Sequence, residues 1–289
     1  MGYLHIENLY NNLDIMMFKE AYALEKVDGR SASILYNNGK VTFFTGGIGE
    51  PLFSGLFNLE ALSRVFNTGF ASKNVVLYGE AYGGKYSPGY TSYKKTLGFV
   101  GFDVCIDEVW LDVPDAHEVF ASFGLDFVDY VKITTELEAI EAQKNRPSVL
   151  AEKNGMGSDV WREGVVLRPL IELVKKNGRR IISKHKRSEV RETKTERVVS
   201  TEELQVLSDA AEIANEWVTE MRMQHVLDKL VYEGPLSMKV TSKLIPAMLE
   251  DIKREGEKEI VWTKEAAAAI TNATVRLLKS SLTTNVTPT

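Results

Sequence analysis

One cysteine, Cys105, occurs in 289 residues. No intrachain disulfide is possible, and such usage suits a reducing compartment. Histidine is also scarce: His5, His117, His185 and His225 lie far apart and, with a single cysteine, offer no zinc-ligand spacing. No apolar run approaches the ~20 residues that a membrane span needs. The opening MGYLHIENLY has neither the basic nor the apolar region of a signal peptide, and Ile6 stands where a myristoylation motif wants Ser or Thr. No internal repeat is visible. These absences argue against a disulfide scaffold, a zinc module and a membrane partner, and make the cytoplasm the expected location.

What is present supports a sizeable core: 44% of residues are hydrophobic and 26% charged, enough for two domains. The net charge of -5 argues weakly against a nucleic-acid partner, but its distribution reverses that reading. From Arg162 to Arg197 twelve Lys and Arg stand against five Glu, a local excess of +7 on an otherwise acidic chain. Such a segment is the footprint of a localised phosphate-binding surface; the alternative is a solvated helix face or hairpin.

Residues 1–197 read as mixed strands and helices. VDGRSASILY and NNGKVTFFT flank Asn37-Asn38-Gly39, a strong hairpin signal. Further β-rich runs are NVVLYGEAY, LGFVGFDVCIDEVWL, REGVVLRPL and GRRIISKHK, with helical spacing in FNLEALSRVF and AHEVFASFGL. SVLAEKNGMGSDVW, with Gly155 and Gly157, reads as a flexible connection. Strands that do not alternate regularly with helices predict an antiparallel α+β domain. Residues 198–289 read as a small all-helical domain. Ser200 with Glu203 fits a capping box, and Leu204, Leu207, Ala211, Ala214, Trp217 and Met221 form one stripe. After a break at Gly234-Pro235, helices are expected over Ser237–Glu255 and Thr263–Ser280.

Lys26 poses the functional question, because its neighbours Ala21, Ala23, Leu24, Val27 and Ile34 are entering a core. Burying an ammonium is costly unless it is paired. The lysine is therefore either a paired structural residue or a nucleophile. Taken alone, KVDG decides nothing, but five stretches follow one another in order. They are EKVDG (Glu25 to Gly29), YGEAYGG (Tyr78 to Gly84), GFDV (Gly101 to Val104), EGVVLRP (Glu163 to Pro169) and SKHK (Ser183 to Lys186).

This series resembles motifs I, III, IIIa, IV and V of the covalent nucleotidyltransferases, the superfamily of RNA ligases, DNA ligases and mRNA capping enzymes. The resemblance implies an antiparallel-sheet, ATP-grasp-like adenylyltransferase domain in which Lys26 attacks the α-phosphorus of ATP and forms a lysyl-AMP phosphoramidate. It further implies that Glu80 contacts the ribose and that Glu163 contacts a divalent Mg²⁺ or Mn²⁺ ion. Lys184 and Lys186, alternating on one strand face, would grip the α-phosphate. Phe102 would stack on the purine, and Glu25 would read the base.

DNA ligases and capping enzymes generally follow motif V with an OB-fold, which would read as short alternating strands. The helical pattern of 198–289 instead resembles RNA ligases of the T4 RNA ligase 2 type. The expected activity is ATP-dependent joining of RNA with 5′-phosphate and 3′-hydroxyl ends. Nicked duplex, single-stranded ends and a broken tRNA loop all stay open, as does the oligomeric state. A DNA ligase, a capping-type transferase and a catalytically silent nucleic-acid-binding relative are the alternatives. One departure concerns the strand after motif I, where many relatives carry an arginine for the substrate 5′-phosphate. Here VTFFTGGIGEP has no basic side chain, which leaves Arg30, Arg64 or the amides of Gly46 and Gly47.

Overall fold

The computed structural model describes residues 2–84, 93–187, 201–230, 232, 235–257 and 259–284. The chain divides into two compact units, Met1–Ile15 with Lys19–Arg197, and Met16–Phe18 with Val198–Thr289.

In the first unit, β1 (Glu20–Lys26) leads into the hairpin of β2 (Arg30–Asn37) and β3 (Lys40–Thr45). Helices α1 (Glu50–Ser54) and α2 (Leu59–Gly69) follow, then β4 (Val75–Tyr82), β5 (Gly98–Ile106), β6 (Val109–Trp110) and α3 (Val113–Ser122). The unit continues with β7 (Tyr130–Thr134), α4 (Leu137–Lys144), α5 (Val149–Lys153), β8 (Gly164–Pro169) and β9 (Ser183–Lys186). The strands form two sheets, β7-β1-β8-β9 and β3-β2-β4-β5-β6, with every pairing antiparallel. This is the α+β architecture that the sequence predicts. At the tip of the β2–β3 hairpin, Asn38 and Gly39 take φ of 49° and 78°. Those paired left-handed conformations belong to a type I′ turn, whose twist suits the flanking strands.

Apolar side chains on α2 and α3 seal the five-stranded sheet. Leu62 and Phe66 of α2 and Ala116 and Phe120 of α3 pack with Ile34, Tyr36, Leu77 and Val104. Gly101 permits that approach, since a Cβ there would stand 2.0 Å from the Phe120 ring. A second cluster joins Leu24 of one sheet and Val27 just beyond its strand to Tyr82 and Val100 of the other, so the two sheets share a core beneath the charged groups described below.

Two expectations for this unit are corrected. The stretch 148–161 is not simply a connection: it contains α5, whose N-terminus is capped by Ser148 Oγ accepting from the Ala151 amide at 3.0 Å. A five-residue helix is too short to show a period, and the glycines that dominate the stretch lie beyond its end. The basic segment is likewise not all surface. Arg162, Arg168 and Arg180 are 1%, 1% and 4% exposed. Arg168 and Arg180 reach Asp103 at 3.0 and 2.6 Å and Glu172 at 2.8 and 2.6 Å. A charge count along the chain cannot see a partner as distant in sequence as Asp103. Arg191, Lys194 and Arg197 lie outside the described residues, as do Glu189, Glu192 and Glu196.

The second unit contains α6 (Thr201–Trp217), α7 (Glu220–Lys229), α8 (Thr241–Glu255) and α9 (Lys264–Thr284). Helix α9 packs against α6 and α8, and α8 against α7. Leu207, Ala210 and Ala214 of α6 are buried, as are Leu244, Met248 and Ile252 of α8 and Ile270 and Leu278 of α9. The expected stripe therefore ends early. Helix α6 stops at Trp217, Thr219 caps α7 through the Arg222 amide, and Met221 is 71% exposed. The helix expected from Ser237 begins as a 3-10 turn, Met238–Val240. Ser200 of the capping box and Gly234 lie outside the described residues. Among the described residues no helix is long and apolar enough to cross a membrane.

Candidate active site

Strand register brings three distant stretches to one glycine. Lys26 on β1 is opposite Gly164 on β8, and Gly164 is opposite Lys186 on β9. A Cβ at Gly164 would come within 2.2 Å of the His185 carbonyl oxygen and 2.8 Å of Lys186 Cα, so the strands approach only because that side chain is missing. Beside this crossing, the Glu163 carboxylate bridges two ammonium groups. Lys26 Nζ donates to Oε2 at 2.6 Å, and Lys186 Nζ lies 2.8 Å from Oε1. Backbone bonds hold Glu163 from both sides: its amide donates to the Lys26 carbonyl, and its own carbonyl accepts from the Arg187 amide, each at 3.0 Å. Glu163 does not pair with its neighbour Arg162. That guanidinium turns to the Pro147 carbonyl at 3.2 Å and to Asp129 at 3.5 Å.

Glu80 faces this group from β4, opposite Ser31 of β2. The intervening turn can pass closely because of Gly29, where a Cβ would sit 2.4 Å from the Ala81 carbonyl oxygen and 2.9 Å from Glu80 Cγ. Burial pushes the Glu80 carboxyl up to about 8, against the pull of Lys26 and with the help of Glu163 and Asp28. Asp28 is raised for the same first reason, burial, and by Glu163, while Lys26 and Lys186 oppose. Glu80 is thus mostly protonated at neutral pH and can donate as well as accept a hydrogen bond.

A cavity of about 160 Å³ opens between the sheets, with Lys26, Glu25, Glu80, Ser31, Phe102 and Tyr3 in its wall. Phe102 is half-buried and meets the Tyr3 ring edge-on at 4.8 Å and 75°. Tyr3 is itself fixed, donating to Asp103 at 2.5 Å and accepting from Arg180 at 2.9 Å. Glu25 is buried, and its carboxylate accepts from Ser148 Oγ at 2.5 Å and from the amides of Val149 and Leu150 at 3.1 and 3.4 Å. Burial raises its pKa, while Ser148, Arg162 and those two amides pull it back. Its carboxylate therefore anchors the start of α5 as well as walling the cavity.

On β9, Ser183 and His185 are buried while Lys184 and Lys186 between and after them are partly exposed, so the two lysines share one face. His185 points away from that face and meets Glu141 at 2.5 Å. Of the candidates for a 5′-phosphate contact, the glycine amides are already used: Gly46 donates to the Ser31 carbonyl and Gly47 to the Thr45 carbonyl, both at 2.9 Å. Arg30 lies against the same turn, donating to the Gly46 carbonyl at 3.0 Å, and Arg64 is exposed on α2. Sequence reasoning missed Tyr3 and Ser148. Ser148 carries a recognisable signal, a serine three residues before the amide it caps; Tyr3 carries none.

Residues 19–186 match the family model described as RNA ligase. The chain belongs to the RNA ligase family. Among solved structures, a lysine-to-alanine variant of Naegleria gruberi RNA ligase with ATP and Mn is similar at a TM-score of 0.51 and 16% identity, over 65% of this chain and 57% of that one. A lysine-to-methionine variant of the same enzyme with AMP and Mn gives 0.50 and 17%, over 65% and 56%. An aspartate-to-alanine variant without ligand gives 0.50 and 15%, over 72% and 58%. The chain thus spans somewhat more than half the length of these structures, and at such identities the likeness is one of fold. No curated protein sequence matches the chain.

Proposed function

We propose that this RNA ligase family member is an ATP-dependent RNA ligase that works through a covalent adduct on Lys26. The observation that carries the reading is Lys26 and Lys186 converging on Glu163 at 2.6 and 2.8 Å, beside a cavity walled by Phe102, Glu25 and Glu80. In the first step the Lys26 amine attacks the α-phosphorus of ATP. A nitrogen–phosphorus bond forms, the bond to the bridging oxygen breaks, and pyrophosphate leaves. In the second step AMP passes to a 5′-phosphate end, which frees Lys26. A 3′-hydroxyl then attacks that phosphate and AMP departs.

The roles follow from position. Glu163 holds the Lys26 nitrogen in the crossing of three strands and is the nearest acceptor for the proton it must lose before attack. Lys184 and Lys186 meet the charge that develops on the α-phosphate. The protonated Glu80 carboxyl suits a ribose hydroxyl, and Phe102 offers a ring for the base. Glu25, engaged with Ser148 and α5, orients the wall that faces the base.

A divalent ion fits this donor set. Glu163, with Asp28 near it, supplies oxygen only, the preference of Mg²⁺ and Mn²⁺. Among the described residues no group of three or more acidic, histidine or cysteine side chains forms a ready cage. In this reading Glu163 would hold the ion, with its other positions left to substrate and water. When bound, the ion supplies neutralisation of the triphosphate and of departing pyrophosphate. The helical unit, residues 198–289, serves in this reading as a clamp for the strand. Incubation with α-labelled ATP and Mg²⁺ followed by a denaturing gel tests the proposal: a labelled chain is expected, and its absence removes the covalent mechanism.

A further inference from the structure

We infer that Trp161 and Arg187 form a stacking platform for a nucleobase of the RNA strand at the edge of the reaction centre. The inference rests on the ligase reading above and adds to it a place where the strand is held. Trp161 is 47% exposed, although indole gains more than most side chains from burial. Its backbone is tightly held. The Trp161 carbonyl accepts from Tyr93 Oη at 3.3 Å, Trp161 forms an isolated bridge with Pro147, and the adjacent Val160 carbonyl accepts from the Ser148 amide at 2.7 Å.

Arg187 completes the arrangement. Its guanidinium carbon lies 4.7 Å from the centre of the Trp161 ring, a cation–π distance that steadies the indole and puts a permanent positive charge beside it. An aromatic face beside a guanidinium presents both things a nucleotide offers partners for, a base and a phosphate. A protein partner would favour a broader apolar patch. Here the sequence neighbours of the Pro147–Trp161 bridge, Arg146 and Asp159, are charged and exposed.

Location ties the platform to chemistry. Trp161 precedes Glu163 by two residues, Arg187 directly follows Lys186, and the Arg187 amide is bonded to the Glu163 carbonyl at 3.0 Å. At about 3.5 Å per residue, Trp161 is within about 7 Å of Glu163 along the chain. In this proposal a strand whose terminal phosphate has reached Lys26 lays its first bases on this ring.

Step-resolved kinetics of the full chain test the inference. Trp161→Ala should raise KM for a 5′-phosphorylated RNA strand about tenfold in sealing by preformed lysyl-AMP protein, within the range that stacking on an aromatic supplies. Covalent labelling by ATP should stay within about twofold, which a merely structural loss would not allow. Trp161→Phe should restore most of the affinity, and Arg187→Ala should raise KM while lowering its salt dependence by about one counterion. An unchanged KM in Trp161→Ala, or labelling that falls in step with sealing, overturns the platform. Quenching of tryptophan emission by the same RNA reads binding without turnover: it should largely disappear in Trp161→Phe, and equal quenching in both proteins also overturns the inference. A wild-type chain that never labels with ATP defeats the ligase reading instead, and the quenching comparison still decides the platform.

Discussion

Two groups of paired charge draw residues from in or around β8, β9 and the loop between them, and they differ in how far they are closed to solvent. Arg168, Arg180, Asp103 and Glu172 are each 4% exposed or less, and Tyr3 and the Leu111 and Phe102 carbonyls also bond to this group. Lys26, Lys186 and Glu163 form the other group, in which the ammonium side chains are 21% and 17% exposed and the carboxylate bridges them. A fully enclosed ion cluster is costly to disturb, because removing one partner strands the others away from water. A half-open one can exchange its partners for a phosphate or a metal at little structural cost. The contrast teaches that charge density alone does not separate a closed structural ion cluster from one that a ligand can reach; access to solvent on one side does.

Mutations can break this contrast, and the largest effect is expected at the open cluster. Lys26→Ala should abolish covalent AMP labelling while the midpoint of thermal unfolding hardly moves; a labelled mutant would remove Lys26 from the mechanism. Lys184→Ala and Lys186→Ala should each slow adenylylation by at least about 10²-fold, the scale of losing an oriented stabiliser of developing charge. Near-normal single-turnover rates in both would return the two lysines to a solvated face. At the closed cluster the sign of the contrast reverses. Asp103→Ala should lower unfolding free energy by about 3 kcal/mol in denaturant titrations, since two buried guanidinium groups each lose one of their two carboxylates.

A smaller effect sharpens the comparison through pH. Glu80 titrates at about 8 in the folded chain against 4.5 for the ordinary carboxyl, so the native state keeps a proton that the unfolded chain gives up. Its contribution is complete below pH 4.5 and is lost as pH rises toward 8, at about 1.4 kcal/mol per unit. Melting curves across that window should slope downward in the wild type and be flatter in Glu80→Gln; parallel curves would show that Glu80 is not the group responsible. The smallest effect on labelling is expected from removing the helical unit. A soluble chain ending near Arg197 should still label with ATP yet seal 5′-phosphate ends poorly, and full sealing would end the clamp reading.

Much of this arrangement was legible because it is local or ordered along the chain. The Asn38-Gly39 turn follows from two residues, the shared face of Lys184 and Lys186 from strand alternation, and the convergence of motifs I, IV and V from their resemblance to a family. What escaped was long-range. Arg168 and Arg180 look like surface cations until Asp103 and Glu172 are seen beside them, and the cap that Ser148 provides for α5 matters only because Glu25 arrives there from β1. Tyr3 sits in the cavity wall without any pattern in its neighbours that would announce it.

The bridge made by Glu163 also bears on chemical selectivity. An ammonium that donates to a carboxylate has no lone pair to offer, so a Lys26 held by Glu163 at 2.6 Å would be a poor target for stray acylating or carbonyl-containing metabolites that modify free amines. A ligand that brings its own charge to the crossing of β1, β8 and β9 competes with Glu163 for Lys26. In the proposed mechanism the nucleophile would thereby favour a polyanionic electrophile, and selectivity would begin before the base is recognised.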